Sequence, residues 1–523
     1  MVPVVVRDKS GKPVGNLRQE DFQLFDKGKP QVISKFSIEK TGGKVIPRTS
    51  VPEPERTPEE RAALADAQPV IAPDHFVGLL FDDVHMNFGD LSNTRKAAQT
   101  FVASGLKPAD RVAIFTTSGQ TSLDFTDDRD RLNGTLLRLA PHPIARSTAQ
   151  ECPDISFYQA DLIVNNRDQQ ALGAAAREVM QCMNIPEMRT AMQIAQSKAM
   201  AVLQQGEHET RIALLSLREA LHRMAAMPGQ RTLLLASPGF IRTQDQFQDE
   251  GSLIDLAIHS GVIVNALDAR GLYTNMPDIA SRVISLAAER VKQDLARQAA
   301  TLQSGILAEL AAGTGGTFVQ NTNDLKSGFQ ELGAAPEVYY LLGFSPQNLK
   351  LDNAFHSLKI SLKTPAGLSV KARLGYYAPG HLSSADEDAK EEIGQALFSR
   401  DEINDIAVDM NTQFFKTSET DARLVVLTRV GIGKLRFRKA DGRNVNDVLI
   451  VCGLFDRNGN YLQAVSKTLK MRLLDETLRN NANEGISVHS DFKVTQGTYV
   501  IRLVVRDAEG QMMAARNGAV EIP

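Results

Sequence analysis

Tryptophan is absent from this chain of 523 residues, and aromatic side chains amount to only 6%. A carbohydrate-binding platform of stacked indole rings is thereby excluded. Cysteine is scarce, with 3 in all, and no C-x-x-C or H-E-x-x-H motif occurs, so those zinc and redox signatures are missing. No stretch approaches the roughly 18 apolar residues of a membrane helix, so no transmembrane segment is expected. Charge of neither sign prevails: 59 Lys and Arg stand against 62 Asp and Glu. The resulting balance of -3 gives no whole-chain reason to expect nucleic acid as a partner. A local basic run, Lys434 to Lys439, alternates with Leu435 and Phe437 and reads as the solvated face of a half-buried strand. Met1 to Arg7 runs straight into a strand without an apolar leader. The chain therefore reads either as cytoplasmic or as the interior of a longer, exported precursor.

What is present is an ordinary globular balance, 42% hydrophobic and 23% charged, at a length that calls for two to four domains. The chain is organised around Phe76 to Asn87. Phe76 to Phe81 is an almost unbroken apolar run, as a strand buried on both faces of a parallel sheet requires. It ends in Asp82, Asp83, His85 and Asn87, and in open α/β sheets the carboxyl ends of the strands form the ligand crevice. Strands and helices then alternate through Arg111–Thr116, Arg211–Met227, Thr232–Ala236, Leu253–His259, Val262–Leu267 and a long helix from about Ser281 to Ala312. This rhythm predicts an α/β fold, a doubly wound, mostly parallel sheet. Residues 74–332 are assigned to it, with an insert at 141–206 that carries Cys152 and Cys182.

Residues 1–40 read as an N-terminal β-segment, 41–73 as a Pro- and charge-rich linker, and 333–380 as a β extension packed near the α/β domain. A polar, helix-prone linker (381–404) then leads to an antiparallel β-sandwich (405–523). Hairpins of the type Asp8-x-x-Gly11, Asp456-x-x-Gly459 and Asp507-x-x-Gly510 mark both β regions, aspartate closing the turn and glycine supplying the positive φ. Ser237-Pro238-Gly239 lacks the first glycine of a nucleophile elbow and reads as a turn. Gly313 to Gly316 follows a helix and precedes a strand, the wrong order for a phosphate loop.

Several motifs in order carry a family resemblance: Glu20-Asp21-Phe22 with Asp26 to Pro30, Phe81 to His85, Met227 to Thr232 before Ser237 to Phe240, Tyr339 to Pro346, and Ala372 to Tyr377. Nearly the whole chain resembles the von Willebrand factor A-related proteins of the acidobacterial type. The resemblance implies a non-enzymatic, protein-binding or adhesion-type module of an exported bacterial protein, with an unknown protein ligand. A structural or assembly factor and, remotely, a hydrolase are the alternatives. It also implies a metal-dependent adhesion site in degenerate form. Asp83, His85 and Asn87 fill its D-x-S-x-S places, Thr210 its threonine, and Ser237 replaces its fourth-strand aspartate. A weakly bound Mg, Mn or Ca ion is the implied cofactor, against the alternative of a polar loop that caps a helix. Cys152 and Cys182 flank a helical insert without a core of its own, which suggests a staple, and export implied by the resemblance agrees. Three reduced cysteines in a cytoplasmic protein are the alternative.

Overall fold

The computed structural model describes residues 2–10, 12–40, 73–144, 152–243, 246–272, 286–334, 338–346, 355–363, 367–378, 385–399, 402–480 and 485–523. The chain is mixed α/β, with one mixed sheet at its centre and antiparallel sheets around it. The expected linker at 41–73 falls outside the described residues up to 72, as do residues 145–151 of the insert.

Strand His75–Phe81 is buried over all seven residues, because every one but His75 and Gly78 is a large apolar side chain. It pairs in parallel with Asp110–Thr116 on one side and Gln230–Ser237 on the other. Val262–Asp268 and the short Phe318–Val319 continue the parallel order beyond Gln230–Ser237. Leu123–Thr126 closes the opposite edge antiparallel. Alternation then sorts the side chains. Phe76 and Leu80 meet Leu217, Leu221 and Met224, whereas Val77, Leu79 and Phe81 meet Phe101, Leu132 and Phe329. Helices therefore cover both faces. Gly78 sets the closest approach, since a Cβ there would lie 2.9 Å from the Met224 sulfur.

The insert departs from the sequence reading in two respects: it has a buried core of its own, and its last helix does not end where expected. The helix expected to begin at Arg211 is the second half of a single helix, Met188–Ala225, of 38 residues, roughly 57 Å long. Its first half packs with Phe157–Val164, Gln169–Cys182 and the first turns of Leu286–Thr314 around Ala171, Ala175, Ala191, Ala195, Ala199 and Leu295. Small residues at the seam let the helices approach closely. Gly206 does the same at mid-helix, where the Phe157 ring occupies the place of a Cβ. Cys152 and Cys182 are bonded, and Cys452 is free and buried.

The N-terminal segment and the 333–380 extension, separated in sequence by the whole α/β unit, build one two-sheet module. Val2–Arg7 lies between Val338–Phe344 and Ser369–Ala372, and Phe22–Asp26 pairs with Phe355–Leu362. Val2, Val4, Phe22, Leu24, Tyr340 and Leu342 fill its core. The C-terminal residues form two antiparallel sheets around Leu424, Val426, Ile450, Leu454, Ile501 and Leu503.

Helix Ala385–Phe398, expected as a linker, is docked. Ile393, Ala396 and Leu397 rest on Val451, Val504 and Ala515 of the C-terminal sheet. Its Phe398 carbonyl accepts from Gly229 N (3.2 Å) and from the Arg231 guanidinium. In the adjoining hairpin, Asp456 Oδ1 accepts from Asn458 N (2.8 Å) and Asn460 N (2.9 Å), and Gly459 at φ +87 lies against the Phe76 ring. Asp127 pairs with both Arg111 and Arg457, each at 3.2 Å. The C-terminal module thus covers the amino end of the central sheet. Among the described residues the carboxyl end is bordered by loops and by the helical insert.

Candidate functional site

At the carboxyl end of the central strand the chain turns at once, Met86 N donating to the Asp82 carbonyl at 3.0 Å. The two aspartates are buried and point apart, as successive residues of an extended segment must. Asp82 faces the end of the Gln230–Ser237 strand. The Ser237 hydroxyl donates to Asp82 Oδ2 at 2.6 Å. His85 supplies the rest, its backbone N at 3.3 Å from Oδ1 and its Nδ1 at 2.9 and 3.0 Å from the two oxygens. Asp83 faces the opposite neighbour, the end of Asp110–Thr116. Ser118 donates to it through its backbone N (2.9 Å) and its hydroxyl (2.5 Å), and His142 Nδ1 lies 3.0 Å from Oδ2. His142 N also donates to the Asp83 carbonyl at 2.7 Å, which fastens the chain after Leu139 over the strand end.

The electrostatics follow this pairing. Burial opposes the charged form of Asp82, yet the adjacent His85 charge and the hydrogen bonds outweigh it and hold the carboxyl below its usual range. Burial likewise opposes a charged His85, and Asp82 reverses that and raises the imidazole above its ordinary value. The His85 ring stacks on Phe240, centroids 5.6 Å apart, which fixes its plane.

The residues expected as metal ligands are not brought together. Asp83 is held by Ser118 and His142, while His85 belongs to Asp82. Asn87 is the N-cap of helix Phe88–Ser104: its Oδ1 accepts from Asp90 N at 2.9 Å, and its Nδ2 donates to Asp90 Oδ2 at 2.7 Å. Thr210 donates to the Ile241 carbonyl at 2.9 Å. Ser237, the residue at the place of the missing aspartate, does adjoin Asp82, and its Oγ accepts from Gly239 N at 2.9 Å. Among the described residues no three His, Cys, Asp or Glu side chains form a group that could hold a metal ion. A hard divalent cation needs several free carboxylate or carbonyl oxygens, so this donor set does not fit one.

Sequence reasoning missed Ser118 and His142, which lie 35 and 59 residues from Asp83. Ser118, just past the end of the neighbouring strand, carries a signal that strand adjacency could have supplied. His142 carries none. Around these groups stand exposed apolar side chains: Phe88 (74% exposed), Leu272 (62%) and Ile144 (42%). Asp90, two residues after Phe88, has its carboxyl raised by burial and then by Asp268, and it also feels Arg270, two residues before Leu272.

No family model matches this chain, and no curated protein does. Among solved structures, it is similar to an aerotolerance-related membrane protein from Bacteroides fragilis NCTC 9343, at 14% identity over 50% of this chain and 96% of that one, with a TM-score of 0.25. The conserved hypothetical protein BatB from Bacteroides thetaiotaomicron is 13% identical over 50% of this chain and 96% of that one, TM-score 0.24. The human COPII-coat protein Sec24c is 10% identical over 86% and 44%, TM-score 0.20. Likenesses of this strength establish neither a shared fold nor a shared function.

Proposed function

We propose that this chain is a non-enzymatic protein-binding module of an exported bacterial protein. It is built on a doubly wound, von Willebrand factor A-like α/β domain whose metal-dependent adhesion site is degenerate. The partner docks at the carboxyl end of the central sheet. The observation that supports this reading most is the rim of Phe88 and Leu272, large apolar side chains left exposed at that end. The Cys152–Cys182 bond supports export, since disulfides persist in oxidising compartments. No helix among the described residues is long and apolar enough to cross a membrane. Against a hydrolase stands the order of the polar groups. Asp82 lies between Ser237 and His85, so the imidazole is not placed to take the serine proton.

The alternative, an assembly factor that binds through its β-modules, draws on strand Tyr461–Leu473. Among the described residues it pairs only with Arg443–Asp456, and it leaves Tyr461 and Leu462 exposed. Crosslinked capture from an envelope fraction separates the two. The carboxyl-end reading expects a partner held by the native chain and lost by Phe88→Asp with Leu272→Asp. Loss with Leu462→Asp instead would move the contact to the C-terminal module.

A further inference from the structure

We infer that the carboxyl end of the central sheet is closed by protein-borne donors in place of a divalent cation, so that this face assembles without metal. The two buried aspartates are satisfied in the same way. Each receives one serine hydroxyl, one backbone amide and one imidazole Nδ1: Ser237 and His85 for Asp82, Ser118 and His142 for Asp83. A carboxylate has two oxygens, and here each of the four accepts at least one donor. An incoming Mg, Mn or Ca ion would have to displace them before binding either group.

Charge leads to the same conclusion. Ser237 stands where a second carboxylate would face Asp82 at hydrogen-bond distance, and such a pair would need a cation between its members. With a hydroxyl there, Asp82 has one negative charge and one imidazole clamped against both its oxygens. The Phe240 ring stacked on His85 holds that imidazole in place. The remaining expected ligands are engaged as well, Asn87 by the helix it caps and Thr210 by the Ile241 carbonyl.

The experiment uses the full chain. Its thermal midpoint is followed with EDTA, Mg, Mn or Ca, and Mn binding is read directly from the free-ion EPR signal. The inference expects one midpoint under all conditions and no depletion of free Mn. Removing the internal counter-charge by His85→Gln leaves the buried Asp82 carboxylate with neutral donors alone and lowers the midpoint by on the order of 10 °C. The double variant His85→Gln with Asp82→Asn recovers much of that loss, because an amide needs no counter-charge. A midpoint lowered by EDTA, Mn uptake abolished by Asp82→Asn or Asp83→Asn, or a His85→Gln variant as stable as native would each overturn the inference. It concerns the face used by the binding reading but is measured apart from it. Partner capture abolished by EDTA would keep that reading and sink this one.

Discussion

At the scale of single residues, Gly206 shows how a local rule and a tertiary contact can disagree in sign. Alanine is about 1 kcal/mol better than glycine within a helix, so an isolated Met188–Ala225 helix would gain from Gly206→Ala. In the folded chain the new Cβ would lie 2.2 Å from Phe157 Cδ2 and 2.5 Å from its Cγ. The whole ring must move, and overpacking of that kind costs about 1–3 kcal/mol. The expected outcome is a net loss of about 1 kcal/mol in urea unfolding; a gain would show that Phe157 swings away freely. His259 makes a second case, at the last turn of helix Phe247–His259. The Asp255 carboxylate, 3.1 Å from its Nδ1, raises it to about 9, against the opposing effect of burial. A histidine raised by folding adds stability below its unfolded value near 6.5, and that stability drains away as pH climbs through 9. With the side chain 54% exposed, solvent keeps the contribution below about 1 kcal/mol. Unfolding of His259→Asn should therefore show a small deficit at pH 6 that vanishes at pH 10. An equal deficit at both would mean that packing, not charge, accounts for the residue.

At the scale of elements, local sequence carries the elements whose cause is local. The apolar run Phe76–Phe81 and the Asp456-x-x-Gly459 turn each need only their own residues to be understood, and both form as expected. Pairings across long separations could not be read. Val4 meets Tyr340 and Leu24 meets Ile360, and nothing in an alternating strand names its partner. The candidate site meets a related limit. The spacing of Asp83, His85 and Asn87 is compatible with a metal loop and with a helix cap, and in the structure Asn87 caps helix Phe88–Ser104 through the Asp90 amide. The joined helix Met188–Ala225 was hidden because Gly206, a usual stop, serves there as a notch for a ring. The insert itself supports a prediction. Its disulfide closes a separation of 30 residues, which the chain-entropy model values at roughly 3–4 kcal/mol. Reduction should speed amide exchange in Phe157–Val164 and Gln169–Cys182 and leave His75–Phe81 as slow as before. If the central strand loosens too, the insert is not an independent cooperative unit.

At the scale of the whole molecule, the two ends of the central sheet have different fates. The amino end is occupied by the C-terminal module, through helix Ala385–Phe398, the Asp456 turn and Asp127 shared by two arginines. Among the described residues the carboxyl end carries no such cover, and the first half of helix Met188–Ala225 extends past it on the same side. Arg111 is the most committed group at the joint: burial pushes its guanidinium below the usual range, and Asp127 opposes that. Asp127→Ala should thus cost more than an exposed ion pair would, because it leaves Arg111 with carbonyl partners alone. Asp127 is itself 34% exposed, so the loss should stay near about 1–2 kcal/mol. Lys390 reports on it, being exposed on the docked helix but closed to trypsin while that helix is intact. Trypsin should spare Lys390 in the native chain and cut it on the order of tenfold faster after Asp127→Ala with Arg231→Ala, since the open population sets the rate. Rapid native cleavage at Lys390 would return 381–404 to the role of a plain linker and detach the C-terminal module from the sheet it covers.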